Sequence, residues 1–137
     1  MSKIVPIDEE YSFGDKVIIT QTDGSGVITF ANRLFCEVSG YSYDELIGQP
    51  HNILRHPDMP KIVFEKVWKT ISSGQTWNGI IKNLRSDGQY YWVNAEILPI
   101  IDDEHNITGY ISVRKQASHK DIKESQELYE KMLLDQE

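Results

Sequence analysis

Cysteine is nearly missing from this chain of 137 residues. The single Cys36 cannot close an internal disulfide, so packing must hold the fold, and a reducing cytoplasm is the expected setting. Long apolar runs are lacking too: stretches such as Ile97-Leu98-Pro99-Ile100-Ile101 fall far short of the ~20 residues a membrane-spanning helix needs. Residues Met1 to Pro6 carry one charge and no apolar core, so no secretory leader is expected. Positive charge is scarce, 14 Lys and Arg against 21 Asp and Glu. The resulting −7 repels a phosphate backbone, and nucleic acid is not an expected partner. No phosphate loop, dinucleotide fingerprint or nucleophile–base pair with a third orienting group can be found, which argues against an enzyme.

What is present suits one soluble globular domain, 39% apolar and 26% charged. Residues 1–16 mix Pro6, Gly14 and an acidic run without periodicity, and read as an N-terminal cap or flexible arm. From Val17 the β-branched runs Val17 to Thr20 and Val27 to Phe30 flank Asp23-Gly24-Ser25-Gly26, which predicts a hairpin. Between Ala31 and Gly74 the spacing turns helical, with breaks at Gly40, Gly48, Pro50 and Pro57. Ser42 with Glu45 predicts a capping box. Asp58 with Pro60 predicts the start of a longer helix, whose apolar face is Val63, Phe64, Val67, Trp68 and Ile71.

After Gly74 the period falls to two, giving strands Trp77 to Arg85, Gln89 to Ile101 and Ile107 to Lys115. A terminal helix begins at Ser118, with Ile122, Tyr129 and Met132 at heptad-like spacing and Leu128 and Leu133 beside them. The expected fold class is α+β: a five-stranded antiparallel sheet, a helical crossover over one face, and a C-terminal amphipathic helix whose stripe must bury against the sheet, a second copy or another domain. A ligand cavity between sheet and crossover is expected.

Asp23 to Gly26 leading to Phe30-Ala31-Asn32, Ser39-Gly40-Tyr41-Ser42 through Gly48, Asp87-Gly88 before Tyr91-Trp92-Val93, and Gly109-Tyr110-Ile111-Ser112 together resemble the PAS sensory domain over residues 17–116. Residues 117–137 then follow as a signalling or linker helix. More narrowly, the thirteen residues from Gly48 to Pro60, with Trp68, Trp77, Lys82-Asn83 and Tyr91-Trp92-Val93, resemble the FAD-binding PAS domains of bacterial aerotaxis and energy-taxis receptors of the Aer type. That resemblance implies a bound FAD whose redox state becomes a signal for chemotaxis. It also implies a receptor or signalling domain, in the same chain or separate, as partner, and a homodimer through the PAS domain or the terminal helix.

Residue by residue, Arg55, His56 and Asp58 cluster at the expected start of the long helix with Asn52 just before them, where free N–H groups and a partial positive charge suit an anion. The bland alternative has Asp58 cap the helix and Arg55 pair with it. Trp68 and Trp77 are candidates for stacking on the flavin ring and equally for core packing. Asn32 and Asn83 suit its polar edge, because a carboxamide both donates and accepts. The resemblance extends to light-sensing flavin PAS domains, whose third-strand asparagine corresponds to Asn83. Their last-strand glutamine is Arg114 here and their reactive cysteine His51, so a cysteine adduct is not expected. Haem through His51 or His56 is a rival cofactor. Their spacing with Asp58 is not that of a zinc site. The alternative to a flavin sensor is a cofactor-free PAS interaction module in which the same residues cap helices and fill the core.

Overall fold

The Asp23 side chain organises the first turn. In the computed structural model, which describes residues 4–136, its Oδ1 accepts hydrogen bonds from the backbone N–H of Ser25 at 2.9 Å and of Val27 at 3.1 Å. Gly26 supplies the positive φ, +91°, that closes the loop. The turn joins β1 (Ile18–Asp23) to β2 (Ile28–Ala31) as an antiparallel hairpin.

The crossover is a series of short pieces, because backbone breaks recur every few residues. Helix α1 (Arg33–Ser39) is capped by Asn32 and ends on Gly40 at φ 78°. Helix α2 (Tyr43–Leu46) carries the Ser42–Glu45 capping box with both of its hydrogen bonds present. A 3₁₀ turn (His51–Leu54) follows, then the longer α3 (Lys61–Ser72), which buries Val63, Val67 and Ile71. The expected role of Asp58 here is overturned: the cap position is Pro60, without a side-chain hydrogen bond, and the Asp58 carboxylate instead lies 2.9 Å from Lys82 Nζ. One N–H at the start of α3 is already taken, since the Lys61 N–H donates to Gln136 Oε1 at 2.9 Å.

Strands β3 (Trp77–Leu84), β4 (Tyr90–Ile101) and β5 (Ile107–Gln116) complete a five-stranded sheet in the order β2-β1-β5-β4-β3, every pairing antiparallel. Placing the first and last strands side by side leaves β2 and β3 as edges. The segment before α3 runs along the β3 edge, where Arg55 pairs with Asn83. The N-terminal segment occupies the space beside the start of β4: Tyr90 N–H donates to Glu9 O and Tyr11 N–H to Tyr90 O.

Alternation sorts the sheet residues into two faces. Ile81, Asn83, Tyr91, Val93 and Ala95 share the face under the crossover with Ile18, Thr20, Ser112 and Arg114, whereas Ile80, Lys82, Trp92 and Ile111 share the opposite face. Helix α4 (His119–Gln136) covers part of that opposite face, so both faces are partly covered. Tyr129 stacks on Trp92, with ring centroids 6.4 Å apart and 12° between planes, and its hydroxyl donates to Ile80 O. Ile122 and Met132 pack against the same core, while Leu128 stays half exposed. Of the three expected partners for the stripe, the chain's own sheet takes it.

Candidate functional site

A cavity of about 320 Å³ lies between the crossover and the sheet, at the lower end of the usual size for a small-molecule site. Its apolar wall comes from α3 and the sheet: Phe64, Val67, Trp68, Ile81, Ile97 and Tyr110. These are the inward positions of a 3.6-residue and a two-residue repeat, which is why they converge. Trp68 stands edge-on to Tyr110, 5.6 Å between centroids and 87° between planes, and its ring nearly touches Gly26. A Cβ at Gly26 would lie 3.0 Å from Trp68 Cζ2, so this glycine both makes the turn and lets the indole seat.

The polar wall comes from four separate elements. Thr20 and Thr22 project from β1, Asn83 from β3, and Ser112 and Arg114 from β5, while Asn52 and Arg55 reach in from the 3₁₀ turn and the residue after it. Arg114 is 2% exposed. Its Nε–H donates to Ser112 Oγ at 2.9 Å, and Nη2 donates to Thr20 Oγ1 and to His51 Nε2, each at 2.6 Å. A guanidinium can only donate, so His51 Nε2 must be the acceptor and the ring proton sits on Nδ1. Close packing around the imidazole, then the Arg114 charge, push His51 down to about 3; it is neutral at pH 7. Burial pulls Arg114 down to about 10, leaving it charged.

Two buried polar atoms under this wall have no partner among the described residues: Arg114 Nη1 and the Tyr91 hydroxyl. Burial raises the Tyr91 phenol far above its ordinary value, so it stays neutral. Native structures seldom strand such groups, and of the two Arg114 belongs to the cavity lining, where a polar guest could engage it.

Of the residues singled out in the sequence, Asn52, Arg55, Trp68 and Asn83 come together around this cavity. Four others lie elsewhere. Asn32 spends both ends of its carboxamide at home, accepting from Phe35 N–H at 3.1 Å and donating to Val17 O at 3.1 Å. His56 is buried behind the β3 edge, where its Nδ1 accepts the Asp58 N–H at 3.0 Å and its ring stands edge-on to Tyr90. Desolvation and then Lys82 lower its pKa. Asp58 is on the α4 side of the sheet; burial alone would raise its carboxyl, but Lys82 holds it below its ordinary value. Trp77 folds over Gly79 and packs with Val67, Ile71 and Tyr110. Arg55 does not pair with Asp58: its guanidinium lies over the Phe64 ring, 4.0 Å from the centroid.

Thr20, Thr22, Ser25, His51, Ser112 and Arg114 are polar cavity residues that sequence reasoning did not place there. A signal existed: Tyr110, Ser112 and Arg114 alternate on one strand face, and two polar residues in a row on the covered face mark a polar pocket wall.

The PAS fold family model matches residues 28–114. The chain is 45% identical over 115 residues to the aerotaxis receptor of Escherichia coli (strain K12), covering 84% of this chain and 22% of the receptor. With the nitrogen fixation regulatory protein of Klebsiella pneumoniae it shares 30% identity over 102 residues, 74% of this chain and 21% of that protein. It thus spans about a fifth of the length of these curated relatives. Among solved structures, the light state of the blue-light photoreceptor Aureochrome1 LOV superposes with a TM-score of 0.71 at 23% identity, covering 87% of this chain and 90% of that one.

Proposed function

This chain belongs to the PAS fold family, and from that premise we propose that it is a redox sensor that binds FAD between crossover and sheet and passes the cofactor's redox state to a signalling domain. The observation that carries the reading is the cavity's lining. Apolar and aromatic walls suit a flat ring, Asn83 offers a donor and an acceptor to its polar edge, and Arg55, exposed at the mouth, supplies the positive charge a phosphorylated ligand needs. The similarity to an aerotaxis receptor supports a role in energy taxis, with a receptor or signalling domain as partner. When bound, FAD supplies the redox chemistry; the protein's residues hold, orient and read it.

The arrangement supports a sensor rather than an enzyme. The hydroxyls in the lining, on Thr20, Thr22, Ser25 and Ser112, have no free imidazole to activate them, since His51 has its Nε2 lone pair committed to Arg114, and Cys36, on α1, is not part of the lining. A change at the ring is instead felt by Asn83 and Arg114, on strands that lead toward α4.

The absorption spectrum of freshly purified protein, followed by boiling and identification of what is released, tests this. Two flavin bands and released FAD are expected, and a Soret band would replace flavin by haem. Colourless protein that fails to take up added FAD would leave the cofactor-free interaction module. Arg55→Ala should lower FAD occupancy while the far-ultraviolet circular dichroism stays unchanged.

A further inference from the structure

One helix face runs against the charge of the chain. Arg55, in the cavity lining, is followed on α3 by Lys61, Lys66 and Lys69, in a chain of net charge −7. Ile62, Lys66 and Lys69 stand at i, i+4 and i+7 with Lys61 and Glu65 beside them, and all five are exposed. None of the four cations makes an ion pair among the described residues. Asp58 is taken by Lys82, and Glu65 is the one carboxylate on the helix. The acidic runs lie elsewhere, at Asp8-Glu9-Glu10 and Asp102-Asp103-Glu104.

The other side of the same helix is the cavity wall. Phe64, Val67, Trp68 and Ile71 line the cavity, so only one helix, about 10–12 Å across, separates a ligand from the basic face. Trp68 belongs to both sides, since it lines the cavity and is still 36% exposed. Ile62, 41% exposed, sets an apolar contact among the lysines. Charge, an apolar centre and a short path to the cavity therefore meet on one surface.

Resting on the flavin reading above, we propose that the outer face of α3 is the docking surface for an acidic one-electron carrier protein that reduces the flavin through the helix. Each encounter oxidises one carrier and passes one electron to the flavin; any proton the ring takes up comes from water, and no bond joins donor to acceptor. A hydride donor must touch the ring, and on this side the α3 wall stands between. An electron need not touch. Lys61 to Lys69 span about 12 Å of helix, the footprint of a protein and not of a small anion. Electron-transfer encounters bury little, under about 1,200 Å², so one helix face suffices. An anionic membrane fits less well. It spreads beneath the whole molecule and meets its net −7, whereas a carrier within one Debye length, about 8 Å, meets mainly the local lysines. Nor does this face suit insertion, since Ile62 is its one exposed aliphatic residue.

Stopped-flow reduction of the FAD-loaded protein under anaerobic conditions tests the proposal, with a strongly acidic two-iron ferredoxin, reduced beforehand and freed of reductant, as the donor. Both proteins are net acidic, yet the bimolecular rate should fall as salt rises, because the local attraction is screened. Lys66→Glu combined with Lys69→Glu should slow reduction by about tenfold or more at low salt, while FAD occupancy stays at the wild-type level. Lys123→Glu combined with Lys131→Glu makes the same change of net charge on α4, and screening should keep its rate within about twofold of wild type.

A wild-type rate that rises with salt overturns the proposal without any variant. So does an undiminished rate in the Lys66 and Lys69 double variant. Equal losses in the two double variants would make net charge the cause and remove the docking face. Co-sedimentation of the wild type with phosphatidylglycerol vesicles at physiological salt, lost in the Lys66 and Lys69 double variant, would reassign the face to a membrane. Failure of the wild type to take up FAD would instead strike the flavin reading itself, and the carrier with it.

Discussion

Replacing Tyr129 with alanine should release α4 from the sheet while leaving the cavity intact. Tyr129 is 8% exposed, stacks on Trp92 and donates its hydroxyl to Ile80 O, and none of these groups lines the cavity. Truncating a buried aromatic ring costs about 3–5 kcal/mol in a closed core. A helix on a sheet surface can relax, so the lower figure, about 3 kcal/mol, applies. At 1.4 kcal/mol per tenfold that is a factor of about a hundred in the docking equilibrium. Little else compensates: Ile122 and Met132 are only half-buried, and an isolated helix of 18 residues is marginal in water. Amide hydrogen exchange followed by mass spectrometry reads the result. Amides of α4 should exchange up to about a hundredfold faster, those of β1 and β5 at unchanged rates, and FAD occupancy should match wild type. Tyr129→Phe, losing one hydrogen bond worth about 1 kcal/mol, should show only about a fivefold effect. Exchange in α4 equal to wild type in the alanine variant would refute the idea that this ring is the anchor.

Three further outcomes follow from the cavity. His51 has a folded pKa of about 3 against 6.5 for the free side chain, so between those values the unfolded chain binds the extra proton and stability is lost as pH falls. Urea unfolding should give a stability about 2 kcal/mol lower near pH 4.5 than at pH 7, and His51→Gln should flatten that difference; an equally steep dependence in the variant would contradict the assignment. Gly26→Ala forces an unfavourable φ and crowds Trp68, which should cost about 1–2 kcal/mol by thermal melting and shift the tryptophan emission. Asn83→Leu should weaken FAD retention on dilution by about tenfold or more, because a buried polar edge loses its partner; undiminished retention would move the polar end of the ligand elsewhere.

Local chemistry was the legible part of this fold. The Asp23 turn and the Ser42–Glu45 box close within a few residues, so their spacing alone predicts the bonds that form. Strand alternation predicted β3, β4 and β5 to within one residue at each end, since each strand keeps one covered face. Asp58 misled for the opposite reason. A short acidic residue before Pro60 reads as a cap, yet its carboxylate is drawn to Lys82, 24 residues on, by a pairing along the β3 edge that no local pattern encodes. Asn32 misled by doing two local jobs well, which leaves nothing to offer a ligand. Arg114 was visible only as a departure from a familiar glutamine; its bonds to Ser112, Thr20 and His51 gather three separate elements, and that is a property of the assembled cavity.

The segment after the 3₁₀ turn joins the two sides of the sheet. Arg55 lines the cavity and bridges Asn83 at the β3 edge; three residues later Asp58 pairs with Lys82 on the opposite face. Lys82 Nζ lies 4.4 Å from the Tyr90 ring centroid and 5.7 Å from that of Trp92, on which Tyr129 of α4 stacks. Asn83 and Lys82 are adjacent in β3, so a shift of the strand at the cavity must also move the ion pair. The pair contributes little to stability: the Asp58 side chain is 62% exposed, and such surface pairs are worth about 0–1 kcal/mol. Its larger effect should be on coupling. Asp58→Asn should leave the melting temperature nearly unchanged but reduce the difference in α4 amide exchange between oxidised and reduced FAD-loaded protein, and Lys82→Met should do the same. Because both substitutions break one link, the double variant should look no worse than either single one. Additive losses would mean that Asp58 and Lys82 act separately, and that the ligand reaches α4 through β4 and β5 instead.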